Sequence, residues 1–458
     1  NGAPLIELYL AAAQAGWYLT PINYHLAPPE VAYIVSDCAA KAFVADDRFG
    51  DIARAAADEA GVPGDARFAV GAIDGFRSYD ELKDGQPDDQ PSDRAAGGIM
   101  TYTAGTTGRP KGVRRPLMPV DPDTAGQMYF TWFQFLYGIP PKADNVHLTV
   151  APLYHTAVMN FTAMALAGGH TVVLIDKWTP EGTLERIERY RVTHSHMVPT
   201  MFVRLLQLPD DAKTKYDVSS LTHVIHSAAP CPIDVKRQML EWWGPVIYEY
   251  YAATEGGGTL VTPQQWLEKP GTVGPPWPNS EIRVLDDEGN PCEPGQPGTV
   301  WIKMGDYTFE YHKDKEKTEQ TWKDGFFTVG DIGYLDEDGW LFLNDRKADI
   351  IISGGVNIYP AEIEAALFGH DAVGDAAVIG VPDDEWGERV HAVIEPREGH
   401  EPGEELAGEI TEYLKGRLGG YKIPRDIEFV EKLPRDPNGK LSRSKLREKY
   451  WAGRERAI

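Results

Sequence analysis

The stretch TYTAGTTGRPKGVRRP at 101–116 holds the residue types that a phosphate group needs. Hydroxyls on Thr103, Thr106 and Thr107, with Gly105 and Gly108, can direct side-chain and backbone donors at phosphate oxygens. Lys111 adds a point charge, and Arg109, Arg114 and Arg115 lie close in sequence. The spacing is not that of G-x-x-x-x-G-K-[ST], because Gly112 follows Lys111. Read from these residues alone, the stretch is either a phosphate cradle or a Gly/Thr hairpin with a solvated basic end.

The rest of the chain must position that loop. At 458 residues it exceeds one ordinary core, so two or more domains are expected. An apolar fraction of 42% with 25% charged residues belongs to the soluble globular class. Net charge is −24, which argues against nucleic acid as a partner. The tail is the exception, with eleven Lys/Arg against six Asp/Glu over 421–458, and charge alone reads it as a solvated face. The longest apolar run, around 157–169, is broken by Asn160 and Thr162 and is too short to span a bilayer. Residues 1–20 carry Glu7 and lack the basic start of a signal peptide. Cys38, Cys231 and Cys292 are odd in number and far apart, which fits a reducing, cytoplasmic location.

Short apolar runs alternate with helical patterns, so the expected class is α/β. KAFVAD (41–46), GHTVVLI (169–175), HSHMV (194–198) and LTHVIHSAA (221–229) read as strands, with helices such as 182–191 between them. After about residue 270, Val/Ile alternation broken by Asp-Glu-Gly-Asn, Gly-Gln-Pro-Gly and Asp-Glu-Asp-Gly reads as antiparallel hairpins. A strand then runs into Gly354–Gly355, and a helix starts after Pro360. The expected organisation is a large domain of α/β and β-rich subdomains over 1–345, a hinge at 346–349 and a small α+β domain over 350–458.

Five motifs can be read together on this framework. YTAGTTGRPKGV closely resembles the phosphate loop of the adenylate-forming superfamily, which includes acyl-CoA synthetases, luciferases and peptide-synthetase adenylation domains; Ala104 stands where Ser is usual. YAATE (251–255) resembles that family's Tyr-Gly-x-Thr-Glu, with Ala252 in place of Gly. The resemblance implies that Tyr251 packs on adenine, Thr254 bonds the α-phosphate and Glu255 holds Mg²⁺, a cation suited to carboxylate oxygen. TVGD (328–331) is similar to Thr-Gly-Asp, which implies that Asp331 accepts from the ribose hydroxyls, with Val329 where Thr is expected. DRKADIIISGGVNIYPAEIE (345–364) resembles the family's hinge motif. It implies a ribose contact for Arg346, a hinge at Ala348 where Lys or Asp is usual, and CoA contacts at Gly354 and Gly355. PRDPNGKLSR (434–443) resembles the C-terminal catalytic motif and makes Lys440 the catalytic lysine.

Two further segments fit the same resemblance. APLYHTA (151–157) implies that His155 flanks the acyl site and takes part in catalysis. SAAPCP (227–232) implies that Ser227, Ala228 and Ala229 form the adenine-side loop. The resemblance runs from residue 1 to about 445 with the motifs in family order. Members normally carry a further stretch upstream, so a longer parent protein is expected.

Adenylation makes AMP, rather than oxide, the leaving group of a carboxylate, and the family then passes the acyl group to CoA. The reaction so implied uses ATP, Mg²⁺ and CoA on a hydrophobic carboxylic acid, fatty or of bulky steroid or terpenoid type. FEYHKDKEKT (309–318) is similar to a synthetase subgroup for such bulky acids. The acyl pocket is expected from Trp132, Met159, His226 and Gly256, with Phe133, Phe135, Tyr137 and Pro199 near it, and the Gly256–Gly258 run suggests a roomy one. Expected partners are these small molecules and a second copy of the chain as a homodimer, with no nucleic acid and no membrane span. Two other readings stay open: an adenylating enzyme that hands its acyl group to a separate partner, and a non-catalytic nucleotide-binding regulator, to which Ala104, Ala252, Val329 and Ala348 lend weight.

Overall fold

The computed structural model describes residues 1–87, 89–103, 110–142, 144–435 and 441–452. Within them the chain is α/β and divides into two units, Asn1–His196 with Asp306–Gln320 and Met197–Gly305 with Thr321–Ile458.

In the first unit, strand Phe43–Asp46 pairs in parallel with Arg67–Val70, which pairs in parallel with Arg77–Ser78. Parallel neighbours need a crossover, and helix Gly50–Glu59 supplies it. Helix Pro28–Asp37 opens on two prolines, whose fixed φ suits a first turn. It buries Val31, Ile34 and Val35, at helical spacing, with Ala53, Ala56 and Ala57 of the crossover helix.

A second parallel group in that unit joins Val146–Thr149 to Thr171–Leu174 and to the first residues of His194–Met197. His147 stands opposite His194 in register, their rings 4.8 Å apart, and His196 stacks on Phe161 at 4.8 Å. Burial pushes His147 and His196 down to about 3, so both are neutral in the fold. Helix Pro122–Tyr137 is capped by Asp121, whose carboxylate accepts from the Asp123 N–H at 2.8 Å, and it ends at Gly138 with φ 71°. It buries Phe133 and Tyr137 but leaves Phe135 65% exposed.

In the second unit, His223–His226 and Ile247–Ala253 are parallel, and Ile247–Ala253 turns back antiparallel into Gly256–Val261. The hairpin texture seen after residue 270 becomes antiparallel pairs, Ser280–Leu285 with Gly298–Met304 and Asp331–Leu335 with Leu341–Arg346. Beyond residue 350 a long hairpin, Val373–Asp383 with Gly387–Pro396, is flanked by Ile351–Ser353 and by the parallel strand Asp426–Phe429. Helices Pro360–Phe368 and Glu404–Lys415 share one buried core with it, around Ile363, Leu367, Val378, Ile394 and Ile410. Strand Val356–Ile358 and helix Arg443–Trp451 are additions to the elements expected from sequence. Among the described residues, no helix is long and apolar enough to cross a membrane.

Candidate active site

In the first unit the two described ends of the phosphate-loop motif are paired. Strands Thr101–Thr103 and Lys111–Arg114 are antiparallel, with Thr103 opposite Lys111. Thr106 and Thr107 lie outside the described residues. Thr103 Oγ1 donates to the Lys111 carbonyl at 3.5 Å. The third strand is Glu310–Tyr311, which pairs with the Lys111–Arg114 strand. Lys111, 17% exposed at its side chain, places Nζ 2.7 Å from Asp314 Oδ2 and 5.9 Å from the centroid of the Tyr311 ring.

The residues of this unit expected on the acyl side sit on or beside neighbouring helices. His155 precedes helix Thr156–Ala167 as its N-cap residue, with its ring 4.4 Å from Tyr154, and its carbonyl accepts from the Met159 N–H. Met159 is buried. Trp132, half-buried, stacks on the exposed Phe135 at 5.8 Å. Phe133 and Tyr137 instead pack with Phe161 in the core.

In the second unit, three residues expected at the nucleotide meet in space. Tyr251 donates its phenol to Asp331 Oδ2 at 2.7 Å, and Arg346 Nε lies 3.4 Å from Asp331 Oδ1. The strand register causes this, because Asp331 opens one strand and Arg346 closes its antiparallel neighbour directly opposite. Burial and the Asp331 charge raise Tyr251 well above a free phenol, so it stays a donor. Asp331 thus keeps a fixed orientation with lone pairs for further donors.

Thr254 and Glu255 form the turn between Ile247–Ala253 and Gly256–Val261, and Glu255 is 7% exposed. Ser227, Ala228 and Ala229 follow the parallel strand His223–His226. Both segments therefore sit at carboxyl ends of adjacent parallel strands, where open α/β sheets bind ligands. Ala228 holds φ 76°, a left-handed conformation that costs a non-glycine residue about 1 kcal/mol. His226 is fully buried, its Nε2 3.5 Å from Glu249, and the Glu249 carboxylate takes Lys236 Nζ at 2.6 Å.

The glycine run has a packing reason at two of its three positions. A Cβ on Gly257 would lie 2.3 Å from Ile302 Cγ2, and one on Gly258 would lie 2.1 Å from the Tyr251 carbonyl. These two let the neighbouring strands pack closely, while Gly256, at φ 135°, lies beside Glu255.

Magnesium can be tested against the donors present. It is commonly held by one or two carboxylates together with substrate phosphates, and the nearly buried Glu255 is one such carboxylate. Among the described residues no group of three or more His, Cys, Asp or Glu could hold a metal by itself. The donor set fits a cation that arrives with the nucleotide.

The second unit also contains 345–349, three residues of which form a short turn, Lys347–Asp349. Arg447 Nη1 donates to the Ala348 carbonyl at 2.9 Å and Nη2 to Asp349 at 2.6 Å. Arg443 meets Asp349 at 3.1 Å and Glu364 at 2.6 Å. Burial raises Glu364 and Asp345 above the ordinary carboxylate range even though Arg443 opposes it. Lys440, three residues before Arg443, lies outside the described residues.

Gly354 and Gly355 turn Ile351–Ser353 into Val356–Ile358, at φ 58° and 80°. A Cβ on Gly354 would strike the Trp386 indole at 2.5 Å, so glycine lets that ring lie on the turn. A cavity of about 190 Å³ opens there, lined among others by Trp386, Tyr421, Arg389 and Arg425. Trp386 is 41% and Tyr421 58% exposed. Sequence reasoning missed these four residues, as it missed Asp314, Arg443 and Arg447. The available signal was the aromatic and basic mix opening the tail at 421–425, which bulk charge reads as a solvated face.

Known proteins resemble this chain in sequence and fold. Residues 1–311 match the family described as AMP-binding enzyme, and residues 362–440 match the AMP-binding enzyme C-terminal domain. A feruloyl-CoA synthase of an Amycolatopsis species is 32% identical over 455 residues, covering 98% of this chain and 87% of the relative. A long-chain-fatty-acid–CoA ligase of Mycobacterium tuberculosis is 32% identical over 457 residues, covering 99% and 87%. The structure of an amide bond synthetase from Marinactinospora thermotolerans superposes with a TM-score of 0.82 at 28% identity, covering 98% of this chain and 87% of that one. The chain belongs to the AMP-binding enzyme family, and with it to the adenylate-forming superfamily.

Proposed function

We propose that this protein, an AMP-forming acyl-CoA synthetase in type, activates a hydrophobic carboxylic acid, fatty or of bulky polycyclic kind, and transfers it to CoA. The observation that carries the reading is the convergence of Tyr251, Asp331 and Arg346 in one cluster, with the Thr254–Glu255 turn following the same strand as Tyr251.

In the first half-reaction a carboxylate oxygen attacks the α-phosphorus of ATP, the bond to the bridging oxygen breaks, and pyrophosphate leaves. The chain's contribution is to position the reactants and stabilise charge, with no side-chain nucleophile. Asp331 accepts from the ribose hydroxyls, Arg346 flanks it, and Tyr251 presents its ring to adenine beside the loop of Ser227, Ala228 and Ala229. Thr254 donates to the α-phosphate, and the hairpin ending at Thr103 and Lys111 holds the outer phosphates. Glu255 would hold Mg²⁺, which supplies positive charge to the phosphate oxygens when bound. Lys440 completes the charge on the leaving side. In the second half-reaction the CoA thiol attacks the acyl carbonyl, its proton passes to solvent, and AMP leaves. Gly354 carries the Trp386 ring while Gly355 leaves open space for the pantetheine arm, and the cavity with Trp386, Tyr421 and Arg425 beside them suits its nucleotide end. Residues 346–349 act as the hinge between a 1–345 domain and a 350–458 domain. His155, Trp132, Met159, His226 and Gly256 belong to the acyl side.

A second reading follows from the amide bond synthetase neighbour: the acyl-adenylate passes to an acceptor other than CoA. Mass spectrometry separates the two. The protein is incubated with ATP·Mg²⁺ and fatty, aryl, polycyclic or small polar acids, with CoA or an amine. Acyl-CoA from a fatty or polycyclic acid is expected. Amide with no thioester would favour the second reading, and thioester only from small polar acids would refute the hydrophobic substrate.

A further inference from the structure

The segment 309–318 was singled out in the sequence for its kinship to a substrate subgroup, yet its charged residue Asp314 faces the phosphate hairpin. Pairing of Tyr311 with Val113 and of Glu310 with Arg114 fixes where this segment lies against the hairpin. The His312 N–H donates to the Gly112 carbonyl at 2.8 Å, extending that register toward Lys111. Asp314 then divides its two oxygens between two tasks. Oδ1 accepts from the Lys317 N–H at 3.0 Å, in the manner of a helix cap, and Oδ2 takes Lys111 Nζ at 2.7 Å. The ammonium that would serve the phosphates is therefore already engaged by a carboxylate anchored on a neighbouring element.

We propose that Asp314 is a positioning residue for the phosphate loop: it holds Lys111 in an ion pair that the phosphates of ATP must displace, and so sets how tightly the loop keeps triphosphate and pyrophosphate. The inference rests on the reading of Lys111 as a phosphate ligand. The hydrogen bond from Lys111 holds the Asp314 carboxyl below its usual range, so Asp314 is a full negative charge at neutral pH. That charge both competes for Lys111 and repels an incoming polyphosphate. Its consequence is easier release of pyrophosphate after adenylation, at the expense of tighter ATP binding.

The test is calorimetric titration of the intact protein with ATP·Mg²⁺ and with pyrophosphate·Mg²⁺, in wild type, Asp314→Asn, Asp314→Ala, Lys111→Ala and the Asp314→Asn/Lys111→Ala double variant. Asn retains the oxygen that caps Lys317, whereas Ala removes cap and charge together, so comparing the two separates a loss of helix structure from the loss of charge. Asp314→Asn is expected to bind pyrophosphate about two- to fivefold more tightly, the range of a partly exposed ion pair. It should also lower the KM for ATP more than it changes kcat. Lys111→Ala should bind pyrophosphate more weakly, and the double variant should recover only part of that loss, through relief of the Asp314 repulsion alone. If Lys111→Ala weakens binding while Asp314→Asn leaves it unchanged or weaker, the role of Asp314 is overturned. If Lys111→Ala leaves pyrophosphate binding unchanged, Lys111 is not a phosphate ligand and the inference falls with that assignment.

Discussion

Two cations with carboxylate partners invite comparison. Lys111 meets one carboxylate, Asp314, and both side chains keep some contact with water. Arg443 meets Glu364 and Asp349, with Asp345 at 3.9 Å, in a setting where burial raises Glu364 and Asp345. A single ammonium with one partner can exchange that partner for a ligand at small cost. A planar guanidinium with several buried partners cannot, because each carboxylate left behind would be a desolvated charge. The first arrangement suits a site that binds and releases phosphate. The second suits a structural fastening of the turn Lys347–Asp349 to the helix that follows the Lys440 motif.

The largest expected effect is on the fastening. Arg443→Met leaves buried carboxylates unpaired and should cost about 3–5 kcal/mol in urea unfolding. A loss below about 1 kcal/mol would show that the cluster is solvated and would erase the contrast with Lys111. Lys111→Met should be the mirror case, with stability within about 1 kcal/mol of wild type and a much weaker response to ATP. A stability loss as large as that of Arg443→Met would mark Lys111 as structural.

Next in size is Asp331→Asn. It removes charge from the Tyr251–Asp331–Arg346 cluster while keeping its shape, and the KM for ATP should rise about tenfold through weaker charge-assisted bonds to the ribose. An unchanged KM would place the ribose elsewhere.

A pH effect comes from the first unit. His147 and His196 have folded values near 3 against about 6.5 in an unfolded chain. Their contribution is complete above about pH 6.5 and is lost as pH falls from there toward 3, because the unfolded chain binds those protons first. The urea midpoint should therefore drop between about pH 7.5 and about pH 5. Replacing His196 with Leu should shallow that drop, and an unaltered slope would contradict its neutral burial. The smallest effect is expected from Ala228→Gly, which relieves the left-handed strain and should change stability by about 1 kcal/mol or less.

Much of the site was legible because its parts are short motifs. The antiparallel pair that carries Asp331 and Arg346 falls around the Asp-Glu-Asp-Gly turn that local pattern marked, whereas the strand Ile247–Ala253 that carries Tyr251 was not expected. The partners were not legible. Asp314, Arg443 and Trp386 are single charged or aromatic residues in polar stretches, and their roles arise from pairing across long sequence distances. The glycine run carries a further constraint that the sequence did not show. Missing side-chain volume suggested a pocket, whereas positive φ and close contacts at Gly257 and Gly258 need the backbone shape. Strand Val356–Ile358 was missed because three residues after a Gly-Gly turn carry too little alternation to register.

The most direct test of the account is exchange of labelled pyrophosphate into ATP by the whole protein, with and without a hydrophobic acid and with no CoA present. Acid-dependent exchange is predicted, with loss of that exchange in Lys440→Ala. No exchange with any acid, despite measurable ATP binding, would contradict adenylation and leave a nucleotide-binding protein without this chemistry.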